Sequence, residues 1–334
     1  MTNSQPRPVV LVTGGAGYIG SHFVHRYLGS NPDAKVLVVD DLSTGHRESL
    51  GELPVVFEHC NIGDYETMIR LLRQHAVESV VHFAANAYVG ESEQRPNKYF
   101  HNNVVNSLNL FRAMEDTAVR KIVFSSTCAT YGNPQYLPID ELHPQKPINI
   151  YGLTKKIVEE ALAGYARTAG WTFIALRYFN ASGAAEHAEI GESHQPETHL
   201  VPLVLQAAAG EIPQIEVFGD DYDTEDGTCI RDYVHVNDLA DAHCLALSRL
   251  NEMSGGDAIN LGTTYGASVK TVLQVAEEVT GLKIAYRISK RRSGDPDRLV
   301  ADASKALAVL QWKPLHDLHS IVETAWRWQQ SKSF

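Results

Sequence analysis

The amino-acid sequence predicts an α/β fold, in which a doubly wound parallel sheet is followed by a smaller mixed α/β lobe. Three observations lead to this prediction. Up to residue 180, short apolar runs rich in β-branched residues alternate with helical stretches. A glycine-rich turn joins the first apolar run to the first helix, and an acidic residue ends the second run. Beyond residue 181 the alternation is lost, and loops rich in glycine, proline, histidine and acids separate shorter elements.

The predicted strands and helices follow from local patterns. Val9 to Val12 is apolar throughout, as is typical of a strand buried on both faces of a parallel sheet. Parallel neighbours need a crossover of a dozen or more residues, which the helical stretches between the runs supply. The predicted strands span 9–12, 35–39, 54–57, 79–83, 121–124 and 171–176, and the predicted helices run from the glycine turn to about 28 and over 64–75, 96–117 and 150–169.

The turn from Thr13 to Gly20 has the spacing of a dinucleotide-binding loop. Gly14 permits the tight turn, Gly17 lets the backbone approach a diphosphate, and Gly20 allows close packing of helix on strand. The diphosphate then meets the free N–H groups at the helix start. Asp40 ends the second strand, and its carboxylate can accept hydrogen bonds from a ribose diol while repelling a 2′-phosphate. The pattern therefore predicts a Rossmann-type site that prefers NAD to NADP.

The change of pattern near residue 181 predicts two domains, in agreement with a length of 334 residues. An NAD-binding Rossmann domain is expected over 1–180, with a return segment near 232–260. The remainder, 181–334, is expected to form the smaller substrate-binding lobe.

Tyr151 and Lys155 lie four residues apart, and so on one face of the predicted fourth helix. Hydroxyl side chains at 125–127 end an earlier apolar strand. A phenol has an unperturbed pKa of about 10, and a nearby ammonium favours the phenolate. The pair thus suits removal of a proton from a sugar or alcohol hydroxyl while a hydride leaves the same carbon. This spacing is common by chance, so the prediction depends on the dinucleotide site upstream.

The composition is that of an ordinary globular protein, with 44% hydrophobic and 21% charged residues. A net charge of −11 argues against a nucleic-acid partner or an anionic membrane surface. No apolar run approaches the roughly 20 residues of a membrane span. The N-terminal residues 1–8 lack the apolar core of a signal peptide. We therefore expect a cytoplasmic protein.

Cysteine and histidine spacings give no metal framework. The cysteines show no C-x-x-C spacing, so we expect reduced thiols. The pairs His22 with His25 and His316 with His319 have only helical spacing, which is more typical of surface or core histidines. We therefore expect no metal site. The cysteines are Cys60, Cys128, Cys229 and Cys244.

Ordered blocks along almost the whole chain resemble the UDP-glucose 4-epimerases of the extended short-chain dehydrogenase/reductase family. Together they are far more specific than the glycine turn or the Tyr–Lys pair alone. The matching blocks are 13–22, 41–45, 82–85, 89–92, 124–127, 151–155, 177–180, 220–233, 291–295 and 301–305.

The resemblance implies an isomerase that inverts the 4-hydroxyl of a UDP-sugar, interconverting UDP-glucose and UDP-galactose. Tyr151 would take the proton of that hydroxyl as the hydrogen on the same carbon passes to NAD as hydride. Lys155 would bind the nicotinamide ribose and lower the pKa of Tyr151, and Thr127 would orient the sugar. The 4-keto sugar would turn over and accept the hydride on its opposite face, which regenerates NAD. The resemblance also implies a homodimer, formed through the helices at 96–117 and 150–169.

The resemblance implies two sets of binding residues. The residues expected to contact NAD are Gly14, Gly17, Tyr18, Ile19, Gly20, Asp40, Asp41, Leu42, Ser43, Thr44, Gly45, Asn61, Ile62, Phe83, Ala84, Ala85, Asn102, Ser125, Tyr151, Lys155 and Tyr178. The residues expected to contact the UDP-sugar are Thr127, Tyr151, Asn180, His199, Leu200, Phe218, Arg231, Tyr233, Arg292, Asp295 and Leu299.

Charge supports some of these assignments. An acidic chain needs local cations to hold a diphosphate, and Arg231 and the pair 291–292 supply them, because the planar fork of arginine binds phosphate oxygens bidentately. Phe218 would pack near the uracil, and Asp295 would accept a hydrogen bond from the uridine ribose.

Several positions depart from the family pattern. Asn61 stands where many relatives carry an aspartate that contacts adenine, and its amide oxygen would still reach the ring amine. Ala87 replaces a lysine near the cofactor, Thr127 a more familiar serine, and His199 an asparagine. Leu299 occupies a position at the substrate pocket where some members of the family carry a large residue and others a small one.

Three other functions were weighed from the same residues. The segments 87–90 and 126–132 also resemble UDP-xylose (UDP-arabinose) 4-epimerases, so a pentose is the second choice of substrate. Nucleotide-sugar 4,6-dehydratases place an acidic pair directly after the active-site threonine, whereas Cys128 and Ala129 follow Thr127 here. A non-catalytic NAD-sensing scaffold on the same fold is the alternative from another class. Such proteins often lack the Tyr–Lys pair.

Overall fold

The computed structural model describes residues 9–292 and 295–334. The N-terminal segment 1–8, expected to carry no signal peptide, and positions 293–294 of the block 291–295 lie outside the described residues. The strands are β1 (Val9–Thr13), β2 (Lys35–Asp40), β3 (Val56–His59), β4 (Val77–His82), β5 (Lys121–Thr127), β6 (Thr172–Tyr178), β7 (Asn180–Ser182), β8 (Ile215–Phe218), β9 (Ile230–Arg231), β10 (Tyr233–His235), β11 (Gly255–Leu261), β12 (Ala267–Ser268), β13 (Tyr286–Ser289) and β14 (Arg298–Leu299).

The helices alternate with these strands in the first half of the chain and separate the shorter strands of the second. They are α1 (Tyr18–Ser30), α2 (Tyr65–Gln74), α3 (Val89–Gln94), α4 (Pro96–Tyr99), α5 (Asn106–Asp116), α6 (Ile150–Ala169), α7 (Leu200–Ala208), α8 (Val236–Arg249), α9 (Val269–Thr280), α10 (Ser304–Leu310) and α11 (Leu318–Ser331). Short 3₁₀ segments lie at Arg47–Leu50 and Cys128–Thr130, and Phe100–Val105 is π-helical. Among the described residues, none of the helices has the length and apolar character to cross a bilayer.

The central sheet has seven strands in the order β11-β6-β5-β4-β1-β2-β3. The pairs β1–β2, β2–β3, β1–β4 and β4–β5 are parallel. The chain moves outward from β1 to β3 and returns to the other side of β1 at β4, so the order reverses between β1 and β4. Ligands of such sheets bind at this reversal, beyond the carboxyl ends of the strands. The predicted doubly wound parallel sheet is confirmed.

Two compact units make up the chain. Of the described residues, the first contains 9–130, Asn149–Arg177 and Ala240–Ile259. One apolar core cluster of this unit packs fully buried side chains of the sheet against helices, among them Leu11 of β1 and Phe111 of α5. Burying each such side chain stabilises the fold by about 1.5–3 kcal/mol relative to leaving it exposed.

The second unit contains Tyr131–Ile148, Tyr178–Leu239 and Asn260–Phe334. Helices α7, α9 and α11 pack on one another around their own apolar core. The short strands form three small sheets: β7 with β10, β8 with β13, and β9 between β12 and β14.

The units differ from the expected ranges mainly at one segment, besides shorter shifts at 178–180 and 232–239, which also group with the second unit. Residues 131–148 fall within the range expected for the first domain, yet they group with the second unit. Long-range hydrogen bonds within that unit hold the segment. Tyr131 OH donates to Asn260 Oδ1 at 2.7 Å, and Ile139 N donates to Val300 O at 2.9 Å.

The helix predicted over 96–117 is interrupted. Helix α4 ends at Tyr99, the π-helical turn Phe100–Val105 follows, and α5 begins at Asn106. The turn directs Asn103 inward, where its Nδ2 donates to Asn86 O at 3.0 Å and its Oδ1 accepts from Asn86 N at 2.8 Å. A π-turn of this kind often marks a functional site.

Candidate active site

A side chain would collide with backbone atoms at one position of the β1–α1 turn and at one position in the first turn of α1. Gly14 has φ +70°, and a Cβ there would lie 2.6 Å from Ala84 N. A Cβ on Gly20 would lie 2.2 Å from Gly14 O. Gly17, the N-cap of α1, carries no side chain that could take up the N–H groups of the first turn. The turn therefore offers a close-fitting cradle of backbone donors to a diphosphate.

Asp40 is fixed at the carboxyl end of β2. Its Oδ2 accepts from Ala16 N at 2.9 Å, and its Oδ1 accepts from Leu42 N at 2.9 Å. Burial raises the pKa of this carboxyl, and the two backbone donors oppose that rise. Each carboxylate oxygen keeps a second lone pair, so the group can still accept from a ribose diol.

The side-chain oxygen of Asn61, which was expected to reach adenine, already accepts two hydrogen bonds within the protein. Its Oδ1 accepts from Gly63 N at 2.8 Å and from Asn106 Nδ2 at 2.9 Å, and its Nδ2 donates to Asp41 Oδ2 at 2.8 Å. Because a carbonyl oxygen has two lone pairs, an adenine amine would have to displace one of these donors.

Most of the other predicted cofactor residues of the first unit lie on the loops and helix starts that follow β1 to β4, and Ser125 lies within β5. These positions share the carboxyl edge of the sheet, where a dinucleotide binds. Asn102 lies in the π-helical turn, and its Nδ2 donates to Asn103 Oδ1 at 3.2 Å. Tyr178 ends β6 and belongs to the second unit. The residues on the loops and helix start are Tyr18 and Ile19 in α1, Asp41–Gly45 after β2, Ile62 after β3, and Phe83–Ala85 after β4.

Tyr151 and Lys155 are brought together at the start of α6, and both are almost fully buried. Lys155 Nζ lies 6.0 Å from the centroid of the Tyr151 ring and donates to Ser125 O at 2.7 Å. Burial lowers the pKa of Lys155 to about 7, and the charge of Glu159 opposes that shift. Thr127, at the end of β5, is also buried, and its Oγ1 accepts from Ala129 N at 3.2 Å. The first unit thus holds an amine beside a phenol, and the Thr127 hydroxyl lies on the same strand as Ser125, whose carbonyl the lysine contacts.

A buried ion pair lies behind the lysine, and sequence reasoning missed it. Glu159 is one turn beyond Lys155 on α6, and its Oε2 accepts from Arg177 Nη2 at 2.6 Å. Ser126 Oγ also donates to Glu159. The spacing of four residues from Lys155 was the available signal, but Arg177 is supplied by β6, beyond the reach of a local pattern.

His82 is a second residue that sequence reasoning did not assign. Its Nδ1 lies 2.7 Å from Thr13 Oγ1 and its Nε2 lies 2.9 Å from Ser107 Oγ. Burial, and then the charge of Lys155, lower the pKa of His82 to about 3. The ring is therefore neutral at physiological pH and links the ends of β1 and β4 to α5.

Two further contacts fix the start of α6. Ser92 Oγ accepts from Tyr151 N at 3.2 Å, and Asn103 Nδ2 donates to Thr154 Oγ1 at 3.1 Å. The interrupted helix therefore has a local consequence, because the inward turn of Asn103 braces the helix that carries Tyr151.

The second unit contains five of the predicted substrate residues in contacts or pairings with one another. Arg231 Nη2 donates to Asp295 Oδ1 at 2.5 Å. The guanidinium of Arg292 lies 4.1 Å from the ring centroid of Phe218. Leu299 pairs with Arg231 across β14 and β9. An aromatic ring, two guanidinium groups and a carboxylate suit a base, a diphosphate and a ribose.

Arg291 has other partners. Its Nε donates to Asp221 Oδ1 at 2.6 Å, and its guanidinium lies 3.9 Å from the ring centroid of Tyr222. Arg292, the neighbour of Arg291, is therefore the arginine that stacks on Phe218, the ring expected to contact uracil.

The last predicted substrate residues lie elsewhere in the second unit. Asn180 and Tyr233 pair across β7 and β10, and Asn180 Nδ2 donates to Asp232 O at 2.9 Å. His199 is the N-cap of α7, and Leu200 is its first residue.

The glycine cradle, the acid at the end of β2 and the Tyr–Lys pair define a Rossmann-fold enzyme of the short-chain dehydrogenase/reductase type. Residues 10–262 match the NAD dependent epimerase/dehydratase family, and the chain belongs to that family. The family resemblance deduced from the ordered blocks is confirmed.

Relatives with curated names or solved structures are similar over nearly the whole chain. The UDP-glucose 4-epimerase of Lactobacillus helveticus is 47% identical over 323 residues, which cover 96% of this chain and 97% of that protein. The structure of UDP-glucose 4-epimerase from Brucella ovis in complex with NAD is 46% identical, with a TM-score of 0.92 and coverage of 96% and 97%. The enzyme from Stenotrophomonas maltophila, solved with NAD and formylated UDP-arabinopyranose, is 41% identical, with a TM-score of 0.93 and coverage of 97% and 98%.

Proposed function

We propose that this chain is an NAD-dependent isomerase that interconverts UDP-glucose and UDP-galactose through a transient 4-keto sugar. One observation supports the proposal above all. The buried Tyr151–Lys155 pair and the hydroxyl of Thr127 stand in the same unit as a turn built for a dinucleotide diphosphate. Relatives at 45–47% identity carry the name UDP-glucose 4-epimerase.

The residues present fit NAD. Side chains at Gly14 or Gly20 would collide with the backbone, so the turn is shaped for the close approach of a diphosphate. Asp40 would hold the adenosine ribose, and Lys155 the nicotinamide ribose. When bound, NAD supplies an acceptor for hydride and then returns it.

Residues of this chain carry out the acid–base chemistry. Tyr151 removes the proton of the sugar 4-hydroxyl when the hydrogen on that carbon leaves as hydride. It gives the proton back when the hydride returns to the opposite face, so no net oxidation occurs. The Lys155 ammonium favours the phenolate form of Tyr151, and the Thr127 hydroxyl orients the reacting oxygen by a hydrogen bond.

The second unit supplies groups for the UDP part of the substrate. Arg231 and Arg292 would bind the diphosphate, Phe218 would pack on the uracil, and Asp295 would accept from the uridine ribose. Because Arg231 is paired with Asp295 at 2.5 Å, a diphosphate would compete with this carboxylate for the guanidinium. The remaining proposed contacts are Asn180, His199, Leu200, Tyr233 and Leu299.

We further propose a cytoplasmic homodimer. The four cysteines are free in the structure, and free thiols are typical of a reducing compartment. Val105 in the π-helical turn and Leu108 in α5 are 43% and 38% exposed, which suits a helix-to-helix contact with a second copy. Light scattering of the purified chain tests the assembly.

Proton NMR of the products tests the reaction. The purified protein is incubated with UDP-galactose and, separately, with UDP-arabinopyranose, first without added cofactor. We expect UDP-glucose from the first, with NAD retained by the protein. Conversion of the pentose alone would instead favour the UDP-xylose reaction, and a 4-keto-6-deoxy product would identify a dehydratase. Binding of NAD without any turnover, even after NAD is added, would favour a non-catalytic protein.

A further inference from the structure

A short segment of the second unit brings together two histidines and two glutamates. Glu192, His194, Glu197 and His199 precede α7, and one ligand atom from each lies within 4.8 Å of all the others. The residues of this mixed group are irregularly spaced along the chain, unlike the histidine pairs at helical spacing, so no local pattern predicted the group.

The distances within the group suit a small cation. His194 Nδ1 lies 3.1 Å from Glu192 Oε1 and 3.8 Å from Glu197 Oε2. His199 Nδ1 also contacts Glu192 Oε1. Around a tetrahedral ion with bonds of about 2.0–2.2 Å, neighbouring ligand atoms are about 3.3–3.6 Å apart. Small side-chain rotations would therefore complete such a geometry.

The surroundings hold the two carboxylates in place. Glu192 and Glu197 have side chains only 4% and 6% exposed, and buried carboxylates need a positive partner. Oε1 of Glu197 accepts from the backbone N–H groups of Thr198 and His199 at 2.7 and 2.8 Å. That contact leaves the other oxygen facing His194, as the ordered outer contacts of a metal ligand do.

The backbone of the segment is anchored and one side is open. Trp328 Nε1 donates to Glu192 O at 2.8 Å, and a Cβ on Gly191 would lie 2.4 Å from Cγ of the same Trp328. The side chain of His199 is 45% exposed, which gives an ion a path into the group.

We propose that Glu192, His194, Glu197 and His199 form a binding site for one divalent transition-metal cation of the Zn²⁺ class. Two imidazoles with two carboxylates favour zinc over calcium or magnesium, which prefer oxygen ligands alone. Four protein ligands fill a tetrahedral shell, so the ion is structural and takes no part in the hydride chemistry. It ties the segment to the start of α7. The contact uses Nδ1 of His199, and Nε2 stays available to the substrate contact proposed above.

Metal binding to the full chain, with its NAD retained, tests the site without any substrate. The protein is stripped with a chelator, dialysed and titrated with ZnCl₂ by calorimetry. We expect one ion per chain, a rise in the thermal midpoint, and an affinity at least tenfold lower in His194→Gln. His187→Gln is the matched control, because His187 is an exposed histidine of the preceding segment outside the group, and it should bind zinc as the parent does.

Cobalt substitution keeps the test independent of whether a variant folds. CoCl₂ added to the unmodified protein should give the strong visible bands of tetrahedral cobalt without a thiolate charge-transfer band. A thiolate band would place the ion on cysteine and overturn the proposal. Equal zinc affinity in the parent and His194→Gln, or no stoichiometric binding in the parent, would also overturn it and leave the four groups as imidazolium–carboxylate pairs. None of these outcomes depends on epimerase activity.

Discussion

Nη2 of Arg177 lies 2.6 Å from Oε2 of Glu159, and both side chains are 7% exposed. Glu159 lies one turn beyond Lys155 on α6, and Arg177 reaches it from β6. The Glu159 carboxylate is the charge that opposes the lowering of the Lys155 pKa by burial. Since the proposed mechanism needs the ammonium form of Lys155, we expect Glu159 to act on the reaction through the lysine, as a positioning residue.

Replacement of Glu159 by Gln should therefore move the pH profile of turnover. The pKa of Lys155 is already lowered to about 7, and loss of the neighbouring negative charge lowers it further. Lys155 then loses its proton at a lower pH, so the alkaline limb of kcat should shift to lower pH while the acid limb stays in place. Full kcat–pH profiles measure this.

The matched control for that variant is Glu160→Gln on the same helix, whose side chain is 65% exposed. It should leave the profile unchanged. Breaking a buried ion pair costs about 3–5 kcal/mol, so circular dichroism must show that Glu159→Gln is folded. A uniform drop in kcat at every pH, with no shift of the alkaline limb, would reduce Glu159 to a purely structural role.

Tyr151→Phe should abolish most of the turnover and spare cofactor binding. Acid–base catalysis typically contributes about 10²–10⁴-fold, and the substitution removes only the phenolic hydroxyl. Product NMR and the amount of NAD released on denaturation measure the two effects. Tyr165→Phe, farther along α6 and stacked on Trp171, is the control and should keep full activity. Near-normal turnover in Tyr151→Phe would remove the tyrosine from its proposed role.

The parts of the site that local patterns encode could be predicted from the sequence. Gly14 directly follows β1, Asp40 ends β2, and Tyr151 and Lys155 share a helix face, so spacing along the sequence was enough to predict these positions. Other features depend on partners distant in sequence. Arg177 meets Glu159 from another strand, and the π-helical turn is braced by Asn103 against Asn86 and Thr154.

The boundary of the second unit could not be predicted for a similar reason. Segment 131–148 has no composition that separates it from its neighbours. Its grouping depends on bonds to residues more than 100 positions away, such as Asn260 and Val300. The cluster around Glu192 likewise mixes residue types at irregular spacing, and only the folded loop brings their ligand atoms together.

Gly14→Ala should destabilise the protein and weaken NAD binding. A side chain there meets Ala84 N at 2.6 Å and occupies a left-handed backbone conformation, a strain of about 1–3 kcal/mol. Urea unfolding and NAD titration measure the two effects. Gly29→Ala in α1 is the control, because open space surrounds its Cβ, and it should raise stability by roughly 0.5–1 kcal/mol. If both variants behave alike, the close packing of the turn is not what requires glycine.

Asp40→Ala should relax the preference of the protein for NAD over NADP. The carboxylate that repels a 2′-phosphate is removed, while the glycine cradle for the diphosphate stays. Calorimetric Kd values for both dinucleotides give the ratio, and the ratio cancels any general loss of folded protein. An unchanged ratio would show that another group selects the cofactor.

Arg292→Ala should weaken the binding of UDP more than Arg291→Ala does. Arg292 stacks on Phe218, the ring proposed for the uracil, whereas Arg291 pairs with Asp221 and covers Tyr222. An exposed ion pair contributes at most about 1 kcal/mol, so a larger loss in Arg292→Ala indicates a direct phosphate contact. Calorimetry with UDP measures both variants against the parent. Because the two arginines are adjacent and carry the same charge, a general electrostatic effect would weaken both variants equally, and that result would remove Arg292 from the site.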